Sequence, residues 1–233
     1  VLGRDLLVSA EGSMRIDVWS DIVCPWCYLG KRRLERALAE FEHADRVEVV
    51  WRSFQLDPGY PVGTREPVYQ SLAKKMGLPL KQVRAMTDRV KALAAEEGLA
   101  YDFDRAVMVN TFAAHRLTHL AKAHGLGAEM HERLMRAQLC EGRVLDDPET
   151  LAELAAEVGV PADEARRVLA GDEYTREVEE DIRQARELGV TGVPFFVFDN
   201  AYGIAGAQSS EMLLQALRTV HGNATAGTTA TPA

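Results

Sequence analysis

Hydrophobic positions change their period along the chain, and each change marks an element. In "MRIDVWS" (14–20), Ile16 and Val18 alternate with Asp17 and Trp19, the two-residue repeat of a half-buried strand. "CYLGKRRLERALAEFE" (27–42) shifts to helical spacing and puts Leu34, Leu38 and Phe41 on one face. "RVEVVWRSFQL" (46–56) is β-rich again. Strand, helix and strand in about forty residues predict a βαβ unit with a right-handed crossover.

From Pro61 to about Gly189 the pattern is almost purely helical. Its blocks stop at Gly77, Gly98, Gly125, Gly142, Gly159, Gly171 and Gly189, each placed as a helix C-terminal glycine. Asp147-Pro148 predicts an N-cap followed by proline at the first helical position. No fixed period relates the blocks, so a helical-repeat solenoid is excluded. "VPFFVFDNAYGIAGA" (193–207) predicts two short strands about a turn at Asp199-Asn200, and a last helix follows, capped by Ser209 or Ser210. Without the helical insertion, the order of elements is that of a thioredoxin fold. The expected class is therefore α/β, with a thioredoxin-like domain from 14–60 and 173–221 and an all-helical insertion at 61–172.

The termini stand apart. Residues 1–13, "VLGRDLLVSAEGS", lack a basic start and an apolar block of signal-peptide length. They read as an expression remnant or an over-called start ahead of Met14, which implies a cytoplasmic protein. The small, polar tail 222–233 reads as disordered.

Three cysteines in 233 residues are too few, and odd in number, for a structural disulfide framework. Two of them, Cys24 and Cys27, flank Pro25-Trp26 where strand gives way to helix. A thiol attacks a disulfide as its thiolate, and a helix N-terminus offers unpaired N–H groups and partial positive charge. With Pro25 at the first helical position, Cys24 sits at the cap, and Cys27 lies one turn inside, more shielded. That asymmetry predicts an attacking and a resolving thiol. A zinc site would need two further ligands, which only a long-range meeting of Cys140 and a histidine could supply, so no metal is expected. His115 and His119 share a helix face, but "HRLTH" lacks the glutamate of a metalloprotease motif, and both read as structural or exposed. Cys140 reads as a small buried hydrophobe. Asp21 reads as a solvated loop residue and "GKRRLER" as a solvated helix face.

The net charge of −8 argues against nucleic acid as a partner, and no stretch approaches the ~20 apolar residues of a membrane span.

Together "CPWCYLGKRRLE", "WRSFQLDP", "NTFAAHRL", "GVPFFVF" and "GIAGAQ" resemble the FrnE-like branch of the DsbA family of thioredoxin-fold thiol–disulfide oxidoreductases, over about residues 14–221. The resemblance implies disulfide exchange without a cofactor, on protein or small-molecule disulfides or thiols, with glutathione or a recycling reductase as a further partner. By position, Cys24 resembles the nucleophile, Cys27 the resolving cysteine, and Pro194 the cis-proline facing them. A cis bond would turn the Val193 backbone toward an extended substrate. Trp26 is expected to face substrate, and Asn110 to hydrogen-bond near the cleft. Two alternatives remain: a glutathione-dependent isomerase or transferase of the same fold, typically with serine in place of Cys24, and a non-enzymatic partner-binding module.

Overall fold

The structure is a computed structural model that describes residues 13–228, with side chains described as far as Asn223. The reading of residues 1–13 therefore falls, but for Ser13, outside the described residues. Four strands form one mixed sheet in the order β2-β1-β3-β4. β1 (Met14–Ser20) pairs in parallel with β2 (Val47–Ser53) and antiparallel with β3 (Phe195–Phe198), and β4 (Tyr202–Ala205) closes the edge. α1 (Pro25–Ala39) makes the crossover between the parallel pair.

The sequence period suggested that β1 is buried on one face only. It is buried on both: Asp17 and Trp19 are as enclosed as Ile16 and Val18. On one face, Ile16 and Val18 meet Leu34 and Ala37 of α1 and Leu213 and Leu217 of α9 (Ser210–Thr228). On the other, Trp19 packs with Ala185 of α8 (Thr175–Glu187) and with Val190. Burying a Val, Leu or Ile side chain contributes roughly 1.5–3 kcal/mol, so this doubly covered strand anchors the fold.

Between β2 and α8 run α2 (Val68–Met76), α3 (Leu80–Glu96), α4 (Phe112–Ala123), α5 (Gly127–Leu139), α6 (Pro148–Glu157) and α7 (Ala162–Ala170). Residues 99–111 between α3 and α4 are irregular. The helices from α4 to α7 share a core centred on Leu117, Leu134, Leu151 and Leu154. Asp147 caps α6 as expected, accepting the Thr150 N–H at 2.9 Å. Six of the seven stop glycines adopt positive φ; Gly171, at φ −102°, does not. Asp199 (φ 47°) and Asn200 (φ 55°) make the tight turn between β3 and β4. α9 runs to Thr228, past Gly222, where the sequence pattern placed the start of a disordered tail.

The basic run after the cysteines is not simply solvated. Lys31 is buried and pairs with Glu132 of α5 at 2.8 Å, and Arg33 reaches Glu97 beyond the end of α3 at 3.2 Å. These charges tie α1 to the helical segment.

Candidate redox site

The N-terminus of α1 shapes the site. Cys24 is its cap, with extended φ −87° and ψ 112°. Its N–H donates to the Asp21 carbonyl at 3.0 Å, and its own carbonyl accepts the Cys27 N–H at 3.1 Å. Pro25 occupies the first turn, where a missing N–H leaves no helical bond unmade. Both thiols are free. Cys24 retains 4% exposure and Cys27 none, while Trp26 between them is 41% exposed. The accessible thiol is therefore the one at the cap.

Against this helix end lies the segment before β3. The Val193–Pro194 peptide is cis, and the Cys24 Sγ thiol donates to the Val193 carbonyl at 3.6 Å. Gly30, one turn beyond Cys27, makes this approach feasible. A Cβ there would stand 2.9 Å from Pro194 Cγ and 3.3 Å from Phe196 Cζ. Cys24, Cys27, Trp26, Val193 and Pro194 thus lie together at one end of α1.

Around the sulfurs the wall is apolar, with a few placed polar groups. Cys24 and Cys27 belong to the cluster of Tyr28, Tyr69, Tyr101, Phe103, Met135 and Leu139, so the helical segment covers the pair. Burial pushes the Cys27 thiol well above its ordinary pKa, and the hydrogen bond and charge of Cys24 push the same way. The Asp21 N–H and the Ser20 hydroxyl pull it down. The Tyr101 hydroxyl donates to the Pro25 carbonyl at 2.6 Å, and its ring stacks on Tyr28 at 6.2 Å. Tyr28 donates in turn to Glu132 at 2.5 Å. Burial disfavours the Glu132 carboxylate, but hydrogen bonds from Arg32, Lys31 and Tyr28 outweigh it and bring its pKa to about 2.

Two readings change, those of Asp21 and Cys140. Asp21 is buried, not solvated, because its carboxylate accepts the Leu56 N–H at 2.8 Å and meets His115 Nε2 at 3.3 Å. Asn110 lies in the segment that leads into α4. Its side chain donates to the Tyr60 carbonyl at 2.7 Å and accepts the Phe112 N–H at 3.0 Å, which fixes the entry to α4. Cys140 is half-buried, on the margin of the cluster around the cysteine pair. Among the described residues, no group of three or more His, Cys, Asp or Glu side chains could hold a metal ion, and no helix is long and apolar enough to cross a membrane.

Sequence reasoning missed Ser20, Tyr101 and His131. The His131 Nε2 lies 3.0 Å from Ser20 Oγ across 111 positions of chain, and Tyr101 meets Pro25 across 76. No local pattern signals contacts of that range.

The probable DsbA oxidoreductase of Streptomyces coelicolor is 46% identical, over 94% of this chain and 92% of that one, with a TM-score of 0.87. The cytosolic disulfide reductase DsbM of Pseudomonas aeruginosa, in its structure with GSH, is alike in fold, with a TM-score of 0.60 at 23% identity over 88% of this chain and 98% of that one. The Bacillus subtilis (strain 168) protein YwbO is 28% identical over 207 residues, 88% of this chain and 96% of its own. Residues 15–218 match the DSBA-like thioredoxin domain, and the chain belongs to that family.

Proposed function

We propose that this protein is a thiol–disulfide oxidoreductase of the FrnE-like branch, with Cys24 as nucleophile and Cys27 as resolving thiol. The observation that carries this reading is the unequal pair at the α1 N-terminus: Cys24 at the cap, touching the Val193 carbonyl, and Cys27 fully enclosed behind it. The Cys24 thiolate attacks one sulfur of a substrate disulfide and releases the other as a thiolate. Cys27 then attacks the mixed disulfide at Cys24, which closes the Cys24–Cys27 bond and frees the substrate as a thiol. Run in reverse, the same pair oxidises a dithiol. Pro194 and Val193 would border the substrate chain, and the exposed Trp26 would meet its apolar side chains.

The proposed setting is the cytoplasm, which the scarcity of cysteine favours. Glutathione is the small thiol to offer first, since a fold neighbour is described with it. A glutathione isomerase reading is less favoured, because Cys27 gives any adduct on Cys24 an internal exit. Insulin reduction and mixed-disulfide trapping test the proposal. Cys27→Ser should accumulate the mixed disulfide, and Cys24→Ser should form none. Full turnover by Cys24→Ser would overturn it.

A further inference from the structure

We propose that His131 is a positioning residue for the resolving step: through Ser20 it aims a hydroxyl donor at the Cys27 sulfur. The inference rests on the oxidoreductase reading and adds to it a part played by the helical segment.

The difficulty lies in the burial of Cys27. It has no exposed surface, yet it must become a thiolate to attack the mixed disulfide at Cys24. A buried anion needs donors directed at it. Two groups near the sulfur act in that direction, the Asp21 N–H and the Ser20 hydroxyl, both where β1 ends and the chain turns into α1. The amide is fixed by the backbone. The hydroxyl is not: it carries one hydrogen and can rotate toward the sulfur or away from it.

His131 decides that rotation. Its Nε2 is 3.0 Å from Ser20 Oγ, both groups are buried, and its ring stacks on Trp51 at 4.2 Å, which fixes the ring plane. Its Nδ1 is buried with no hydrogen-bond partner. A proton on Nδ1 would bury an unpaired N–H, and would leave Nε2 to accept from Ser20, turning the hydroxyl away from Cys27. A proton on Nε2 satisfies that N–H with Ser20 Oγ and leaves only a lone pair without a partner. The hydroxyl hydrogen is then free for the sulfur. Burial, reinforced by the positive charge of Lys31 and Lys122, lowers the His131 pKa well below its usual value, so the ring stays neutral. The line runs from His131 Nε2–H to Ser20 Oγ, and from Ser20 O–H to the Cys27 thiolate.

In this step the Cys27 thiol gives up its proton and its thiolate attacks the Cys24 sulfur. The Cys24–Cys27 bond forms as the Cys24–substrate bond breaks. The departing substrate sulfur takes the electron pair and is protonated. The substrate disulfide is the only oxidant consumed. Cys24, Asp21 and Ser20 face Cys27 from its own side and Tyr101 from the helical segment; burial raises the Tyr101 pKa and keeps that hydroxyl neutral, and neither Ser20 nor neutral His131 brings charge to Cys27.

The test titrates Cys27 by thiolate absorbance in a Cys24→Ala/Cys140→Ser background, where it is the one thiol left, and needs no turnover. Ser20→Ala and His131→Met should each raise the Cys27 pKa by about one unit, the worth of one hydrogen bond to a charged group. The double variant should shift it no further than Ser20→Ala alone. His131→Gln, whose amide keeps a donor near the Nε2 position, should restore much of the loss. With Cys24 intact, resolution of a preformed mixed disulfide should slow about tenfold at neutral pH while the first attack holds its rate. An unmoved titration in His131→Met, or additive shifts in the double variant, would overturn the proposal. If His131→Met does not fold, Ser20→Ala and His131→Gln decide it: no shift in the former, or as large a shift in the latter, removes His131. Failure of the unmodified protein to reduce insulin would instead strike at the oxidoreductase reading.

Discussion

Ser20 and Ser53 stand side by side in the register of β1 and β2, each bonded to a histidine from the helical segment. Ser53 Oγ lies 3.2 Å from His119 Nε2, as Ser20 Oγ lies 3.0 Å from that of His131. What stands behind each couple differs. His119 Nε2 is also 3.0 Å from the Asp181 carboxylate, which accepts from the Ser53 N–H and from Arg52, both at 2.9 Å. His131 has no such carboxylate; its couple leads instead to the Cys27 sulfur. The same pair of side chains thus closes a structural clasp where charges are matched, and addresses a reactive group where they are not.

The largest expected difference is in stability. Asp181→Ala would leave the Ser53 N–H and His119 without their acceptor and Arg52 with Asp17 alone, and each buried donor left unsatisfied costs roughly 1–3 kcal/mol. Ser20→Ala removes one neutral hydroxyl and should cost roughly 1 kcal/mol. Urea unfolding of the two variants measures both. Equal losses would break the contrast between clasp and site.

Acid sharpens it. Burial disfavours the Asp181 carboxylate, yet hydrogen bonds from His119 and the Ser53 N–H, with the charges of Lys122 and Arg52, bring its pKa from 3.8 to about 2. The folded value lies below the unfolded one. Its contribution, roughly 2–3 kcal/mol, is therefore whole above the unfolded pKa and is lost as pH falls through about 2. Lys122, half-buried and donating to the Trp51 carbonyl at 2.5 Å, runs the other way. Burial is the main cause that depresses its pKa from 10.5 to about 8, so the unfolded chain holds that proton longer and stability should climb between those values. Asp181→Asn should flatten the acid slope and Lys122→Met the alkaline one, while Ser20→Ala should alter neither. Denaturation midpoints across pH decide this.

Local chemistry made the centre of the site legible. The alternation of 14–20, the helical period after Cys27 and the placing of Pro25 required only neighbouring residues, and they predicted strand, helix and cap. Asp21 and Lys31 misled for a physical reason. A charged side chain in a loop or on an amphipathic helix is solvated unless a distant partner covers it, and here His115 and Glu132 do. The same holds for Trp19, whose burial depends on Ala185 of α8, far along the chain. The Ser20–His131 couple was invisible for that reason too.

Close packing at the cysteine helix gives a smaller effect. Gly30→Ala gains helix propensity of about 1 kcal/mol, but its Cβ would stand 2.9 Å from the Pro194 ring and force α1 and the β3 approach apart. Overpacking of this kind costs about 1–3 kcal/mol, so a net loss in stability and slower disulfide exchange are expected. Thermal melts and insulin reduction read both, and a stabilised, fully active variant would show that the contact yields freely.

The smallest change is the most selective. The Tyr101 hydroxyl donates to the Pro25 carbonyl at 2.6 Å and so binds the helical segment to the first turn of α1, as Ser20 and His131 bind it to Cys27. Both contacts are neutral, but one ends on backbone and the other on sulfur. Tyr101→Phe keeps the ring stacked on Tyr28 and removes one hydrogen bond, so stability should fall by about 1 kcal/mol. The Pro25 carbonyl does not touch the thiolate, and the Cys27 titration should therefore stay where it is. A shift as large as that of Ser20→Ala would mean that Cys27 responds to any loosening of the helical cover, and would strip the Ser20–His131 line of its particular role. A lowered melting temperature with an unmoved titration would separate holding the cysteine helix in place from tuning its buried sulfur.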